Sequence, residues 1–260
     1  MATMAKIITH HRIRQSLCRW CFETLPLETL AREAAAIGYV GIDLVEPRDW
    51  PVLQAHGLIC TMTPSHTIVK GLNNPAYHAE CLASIRESID ATAAAGFPNV
   101  ICFSGNREDH IPDHTGVIHT ADALKQIAAY AEQKGVTVCI ELLNSKVDHP
   151  AYMCDRSDWG AAVLRRVGSE RVKLLFDIYH AQVQEGDIIA SIKKNADIIG
   201  HYHTAGVPGR HELDDTQELN YPAIMRAILA TGYTGYLAQE FIPTRDPLES
   251  LRQAAHICDV

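Results

Sequence analysis

Val136-Thr137-Val138-Cys139-Ile140-Glu141 is a short β-rich run closed by an acid, and the same design returns three times downstream. Val172-Lys173-Leu174-Leu175-Phe176 ends in Asp177, Ile198-Ile199-Gly200-His201-Tyr202 ends in His203, and Tyr233-Thr234-Gly235-Tyr236-Leu237-Ala238-Gln239 ends in Glu240. The intervals are 36, 26 and 37 positions (141 to 177, 177 to 203, 203 to 240), each with room for a loop, a helix and the next strand. In a closed parallel βα barrel the C-terminal strand ends open on a single face. Three carboxylates and an imidazole converging there would repel one another without a cation. A divalent metal resolves that, and mixed carboxylate and imidazole ligation suits Mg²⁺, Mn²⁺ or Zn²⁺. Taken singly, each acid also reads as a helix cap or a solvated loop charge. Four in register on consecutive strands read as a site.

Outward from these four runs the alternation continues. Strands are expected near 13–18, 39–44, 58–62 and 98–103, before those near 136–141, 172–177, 198–203 and 234–240. Helical spacing fills the gaps at 25–37, 74–95, 120–134, 157–166, 187–194, 221–230 and 247–256, and Gly135 reads as a C-cap. The gap at 46–57 has room only for a reduced helix. Eight strands alternating with helical segments predict an α/β fold, a (β/α)8 barrel forming a single domain over 1–260. An open doubly wound sheet is disfavoured, because no G-x-G-x-x-G follows the first strand and no G-x-x-x-x-G-K-[ST] occurs.

The 260 residues are close to the roughly 250 of one such barrel. An apolar fraction of 47% is enough for a sizeable core. A net charge of −8 argues against broad attachment to nucleic acid or to an anionic membrane. No apolar run reaches the roughly 20 residues a membrane helix needs. The stretch from Met1 to Arg14 has no apolar signal core, so a cytoplasmic location is expected. Eight cysteines are therefore read as thiols: Cys60, Cys102 and Cys139 lie in apolar runs, and the C-x-x-C of Cys18 and Cys21 has no second pair to complete a zinc site.

Further candidates gather at the same strand ends. His180 follows Asp177 by three residues, and Asn144 follows Glu141 by the same offset. After His203 a glycine-rich loop, Thr204-Ala205-Gly206-Val207-Pro208-Gly209-Arg210-His211-Glu212, can carry Arg210 over the site. Arginine suits bidentate grip on a carboxylate or several hydroxyls. An ion pair with Glu212 is its competing reading. Trp20 and Phe22 follow the first strand and can wall the pocket, and His66 follows the third.

Glu141, Phe176-Asp177-x-x-His180, His203-x5-Gly209-Arg210-x-Glu212 and Gln239-Glu240-Phe241 together resemble the xylose isomerase-like barrel superfamily, within its hydroxypyruvate isomerase and ketose 3-epimerase branch. Ser16-Leu17-Cys18-Arg19-Trp20-Cys21-Phe22 and Glu141-Leu142-Leu143-Asn144 resemble the hydroxypyruvate isomerase side. The resemblance covers nearly the whole chain. It implies that Glu141 and Glu240 bind a divalent metal and exchange protons with substrate carbon, and that Asp177 and His203 complete the metal shell. His180 and Arg210 would hold substrate oxygens, with Asn144, His66, Trp20 and Glu212 as further substrate contacts. Mg²⁺ or Mn²⁺ is the expected ion, and Zn²⁺ or Co²⁺ also suits the donors. The implied substrate is a small hydroxy-carbonyl compound or sugar, converted through an enediolate. The leading case is hydroxypyruvate and tartronate semialdehyde. Epimerisation of a ketose at carbon 3 is the alternative, followed by polyol dehydration and phosphodiester cleavage by a metallo-endonuclease. The epimerases carry a substrate-contacting acid shortly after the fifth-strand glutamate, whereas here Val147 stands near that place, which favours a smaller substrate. Barrels of this kind often pair, so a homo-oligomer is compatible with the resemblance.

Overall fold

The computed structural model describes residues 6–260; residues 1–5 of the N-terminal stretch read above lie outside the described residues. The chain starts with β1 (Arg14–Cys18), a 3-10 turn (Arg19–Phe22), α1 (Leu27–Ile37), β2 (Gly41–Asp43), α2 (Trp50–Ala55), α3 (His78–Ala95) and β3 (Asn99–Cys102). It continues with α4 (Asp113–Lys134), β4 (Thr137–Glu141), α5 (Ser157–Val167), β5 (Val172–Asp177), α6 (Ile178–Gln184) and α7 (Ile188–Lys194). Last come β6 (Ile199–Thr204), α8 (Tyr221–Ala230), β7 (Tyr236–Gln239) and α9 (Pro247–Cys258). The strands form one parallel sheet in the order β2-β1-β7-β6-β5-β4-β3.

The eighth strand expected near 58–62 does not form as a ladder. Residues 59–63 still bridge the two sheet edges: Ile42 N–H donates to Ile59 O and Leu44 N–H to Met62 O, while Thr63 N–H donates to Asn99 O. The ring is thus closed as a barrel, by bridges and not by a regular strand. Side chains have taken over ladder positions. Asn99 Nδ2 donates to Thr61 O, and the Cys60 thiol to Met62 O. Such local side-chain bonds compete with regular pairing.

Helix ends follow their residues. Left-handed Gly38, Gly96, Gly135 and Gly168 close α1, α3, α4 and α5. α4 begins at Asp113, seven residues ahead of the expected start at 120, directly after Pro112. Its early turns carry Gly116, where a Cβ would lie 2.1 Å from Met153 Sδ, so close packing and not apolar spacing decides that end. α6, which was not expected, is capped by Asp177, whose Oδ1 accepts from His180 N–H at 3.0 Å. All eight cysteines are free thiols, seven of them buried. No helix among the described residues is long and apolar enough to cross a membrane.

Register then delivers the site. Asp177 on β5 lies opposite His203 on β6, and Glu240 N–H, one residue past β7, donates to Thr204 O at 2.8 Å. Glu141 ends β4 beside Leu175 of β5.

Candidate active site

Glu141, Asp177, His203 and Glu240 are all buried, and one donor atom from each lies within 4.8 Å of the others. His203 Nδ1 is 3.2 Å from Glu141 Oε1 and 2.8 Å from Glu240 Oε2, yet it is aligned for a hydrogen bond with neither. A buried ring nitrogen without a partner, facing carboxylate oxygens, is the arrangement that a cation satisfies. Three oxygens and one nitrogen suit a hard or borderline divalent ion. These four residues can therefore hold a metal ion.

Protonation reflects how crowded the charges are. Burial raises Asp177 to about 8, against the partial relief given by Arg210. Burial likewise raises Glu141. Burial also acts on Glu240, but His203, Arg210 and the Trp20 indole outweigh it and hold this carboxyl well below its ordinary value. The three acids are thus not equivalent. Glu240 is firmly ionised, whereas Glu141 and Asp177 hold protons more readily.

Arg210 reaches into the cluster from the β6–α8 loop, at a left-handed φ of 60° next to Gly209 at 90°. Its Nη2 donates to Glu240 Oε2 at 2.5 Å and to Asp177 Oδ2 at 3.3 Å, and its Nε to Glu240 O at 3.3 Å. The guanidinium sits 5.2 Å from the Trp20 ring centre and 5.1 Å from that of Tyr179. The competing ion pair with Glu212 does not form.

His180 is fully buried and packed against this arginine. Burial, reinforced by the Arg210 charge, drives its pKa well down, so the ring is neutral. Asn144 points its backbone N–H (3.1 Å) and its Nδ2 (2.6 Å) at His180 Nδ1. That nitrogen must accept, so the proton sits on Nε2, 2.8 Å from Arg210 Nη1. Two donors thus crowd the same place, and an anionic oxygen lying to one side of both would satisfy them. Asn144 is thus an orienting partner of His180, its Oδ1 taken by Val147 N–H and Asp148 N–H.

A cavity of about 290 Å³ opens onto Glu141, Glu240 and Arg210. Its opposite wall is apolar: Trp20, Leu44, Ile68, Ile101, Phe103 and Leu143. The Trp20 indole N–H donates to Glu240 Oε1 at 2.7 Å. Phe22 is buried beneath, edge-on to Phe241. Two expected contacts lie elsewhere. Glu212 turns away and accepts from Thr244 N–H, Thr244 Oγ1 and Ser250 Oγ, so it ties the β6–α8 loop to the segment after β7. His66 stands behind the wall: its Nε2 accepts from Phe103 N–H while Nδ1 faces the carbonyls of Thr67 and Lys70.

Three participants had not been expected. His149 lines the cavity with its ring 5.5 Å from that of His180. Asp43 and His201 lie below the cluster: Asp43 Oδ2 is 2.7 Å from His201 Nε2 and 3.2 Å from His203 Nε2. Asp43 ends β2 as His203 nears the end of β6, so the strand-end pattern that pointed to the four candidate ligands also held this signal.

Known proteins share this architecture. A 2-oxo-tetronate isomerase of Cupriavidus necator is 42% identical over 113 residues, 44% of this chain and 43% of its own length, so that match spans less than half of the relative. A putative human hydroxypyruvate isomerase is 26% identical over 250 residues, covering 89% of this chain and 90% of its own. The crystal structure of an AP endonuclease, family 2, from Brucella melitensis superposes with a TM-score of 0.82 over 92% of this chain and 96% of that one; at 22% identity this likeness speaks for the fold. The model of the family described as xylose isomerase-like TIM barrel matches residues 31–258, nearly everything from α1 to the end of α9. The four candidate ligands thus stand in a barrel that the family model matches from within α1 to the end of α9, and the chain belongs to the xylose isomerase-like TIM barrel family.

Proposed function

We propose that the protein is a metal-dependent isomerase of a small 2-oxo acid, interconverting hydroxypyruvate and tartronate semialdehyde. One observation carries this reading: two buried carboxylates, Glu141 and Glu240, flank the unpartnered His203 Nδ1 at the floor of a cavity that Arg210 and His149 also line and whose far wall is apolar. The ion would be held by Glu141, Asp177, His203 and Glu240, with Mg²⁺ or Mn²⁺ as the expected metal. The chemistry a divalent cation supplies when bound is stabilisation of negative charge on substrate oxygens.

The chain's own groups account for the rest. Glu141, whose proton affinity burial has raised, removes a proton from C3 of hydroxypyruvate. The electron pair moves into the C2–C3 bond to give an enediolate, whose charge the Arg210 and His180 donors face. The proton returns to C2 as the C3 oxygen becomes the carbonyl and the C2 oxygen takes up the hydroxyl proton. Glu240, held ionised by Trp20 and Arg210, is the second carboxylate available for either transfer. Arg210 with His149 grips the substrate carboxylate, and the apolar wall excludes water from the enediolate.

Ketose 3-epimerisation would use the same pair of glutamates. It ranks second because the wall of Leu44, Ile68, Ile101, Phe103 and Leu143 leaves the hydroxyls of a six-carbon sugar without partners. The test is turnover of hydroxypyruvate after metal reconstitution, followed by NMR in D₂O, beside D-fructose and D-tagatose. Tartronate semialdehyde formed only with metal, and not by Glu240→Gln, is the expected result. Epimers of a ketose with no action on hydroxypyruvate would move the protein to the second reading.

A further inference from the structure

Asp43 has no exposed surface and no part in the four-ligand cluster, yet it is the most heavily bonded acid in the barrel interior. Its Oδ1 accepts from Ser16 Oγ at 3.2 Å and from Thr61 Oγ1. Its Oδ2 takes His201 Nε2 at 2.7 Å and His203 Nε2 at 3.2 Å. A carboxylate with four donors around its two oxygens is saturated, and only the ionised form can accept from all of them. Each imidazole must then present Nε2–H. What remains on each ring is Nδ1, and among the described residues the buried ring nitrogens without a hydrogen-bond partner are His201 Nδ1 and His203 Nδ1. The two rings stand edge to face, 5.2 Å apart and at 85°.

We propose that Asp43 is a positioning residue: by holding the Nε2 proton of His203 it turns Nδ1 to the cluster of Glu141, Asp177 and Glu240, as the atom that would bind the metal. The inference rests on the four-ligand reading of the site and extends it to the group that orients the imidazole. Cys18 Sγ, 3.6 Å from the same Nε2, makes Cys18, Asp43 and His203 a second set of metal-type donors. A second ion there would need lone pairs of Asp43 that Ser16, Thr61 and His201 already use, so a single ion per chain is expected.

Partners of this kind change metal affinity by 10- to 100-fold when removed. The full-length protein is titrated with Mn²⁺, and the free ion is followed by electron paramagnetic resonance. The expected result is one Mn²⁺ per wild-type chain and binding about 10- to 100-fold weaker for Asp43→Asn. In parallel, wild type labelled with ¹⁵N-histidine and loaded with Zn²⁺ is examined by long-range ¹H–¹⁵N correlation, which needs no variant to fold. The proton of His203 on Nε2 and the metal on Nδ1 support the proposal. A proton on Nδ1, a second tightly bound ion, or unchanged affinity in a folded Asp43→Asn protein would overturn it. Should wild type bind no Mn²⁺ at all, the four-ligand reading falls first and this inference with it.

Discussion

Replacing Arg210 with lysine keeps the positive charge in the cluster and removes its geometry. The guanidinium makes two charged contacts through Nη2, to Glu240 Oε2 and Asp177 Oδ2, a third through Nε to Glu240 O, and sets Nη1 against His180 Nε2. A lysine ammonium is a point donor on a flexible stem and cannot span Asp177, Glu240 and the space before His180 at once. Hydrogen bonds to charged groups contribute about 1.5–3 kcal/mol each, and lysine retains at least one, so the variant forfeits roughly 2–4 kcal/mol of alignment. If that alignment serves the reaction, kcat/KM for hydroxypyruvate falls by roughly 30- to 1000-fold. Backbone strain does not enter, because both side chains meet the same left-handed φ of 60°. The assay is initial-rate kinetics at saturating metal, paired with thermal denaturation to show that the fold is kept. A folded Arg210→Lys enzyme within about threefold of wild type would refute the argument that the fork, and not the charge, is what the site uses.

Metal binding should expel protons. Asp177 keeps its proton to about pH 8 in the folded protein, whereas an unfolded aspartate loses it near its ordinary value of about 3.9. Between those limits the folded state binds more protons, so its stability falls as pH rises through the window. Denaturation of metal-free protein from pH 5 to 8 should show that decline, saturating Mn²⁺ should flatten it, and calorimetry at pH 7 in buffers of different ionisation enthalpy should register at least about one proton released per ion; no release would sink the assignment of a raised carboxyl to the ligand set. Glu212→Ala strips an acceptor from Thr244 N–H, Thr244 Oγ1 and Ser250 Oγ and should cost about 2–3 kcal/mol of stability with KM little changed. A large KM change without loss of stability would return Glu212 to the substrate. His149→Leu should raise KM for hydroxypyruvate about tenfold, equivalent to roughly 1.4 kcal/mol, with kcat nearly intact. His66→Ala should move KM by less than about threefold, since both ring nitrogens serve backbone groups. The reverse order would show that the wrong histidine was placed at the cavity.

What could be read from the chain, and what could not, divides along a physical line. A side chain at a strand end is aimed by the pleat, so Glu141, Asp177, His203 and Glu240 were legible from run length and terminal residue alone. A side chain on a loop is aimed by whatever it meets. Val147 stands near the place where the resemblance to the epimerases puts a substrate-contacting acid, but Asn144 Oδ1 captures Val147 N–H and Asp148 N–H, and the turn sends Val147 to solvent and His149 to the cavity. Glu212 shares a motif with Arg210, yet its bonding partners lie 32 and 38 residues downstream, at Thr244 and Ser250. The expected strand at 58–62 fails for a similar reason, since Asn99 Nδ2 claims the Thr61 carbonyl from 38 positions away. Asp43 obeys the strand-end rule but was hidden by a strand of only three residues and by imidazole partners 158 and 160 positions distant. Asp177 shows why the two readings of a strand-end acid, helix cap or metal ligand, need not compete. Its Oδ1 caps α6 through His180 N–H, which fixes the carboxylate plane, and its Oδ2 is thereby left facing Arg210 and the cluster. The cap is what aims the candidate ligand, and it places His180, three residues on, beside the same site.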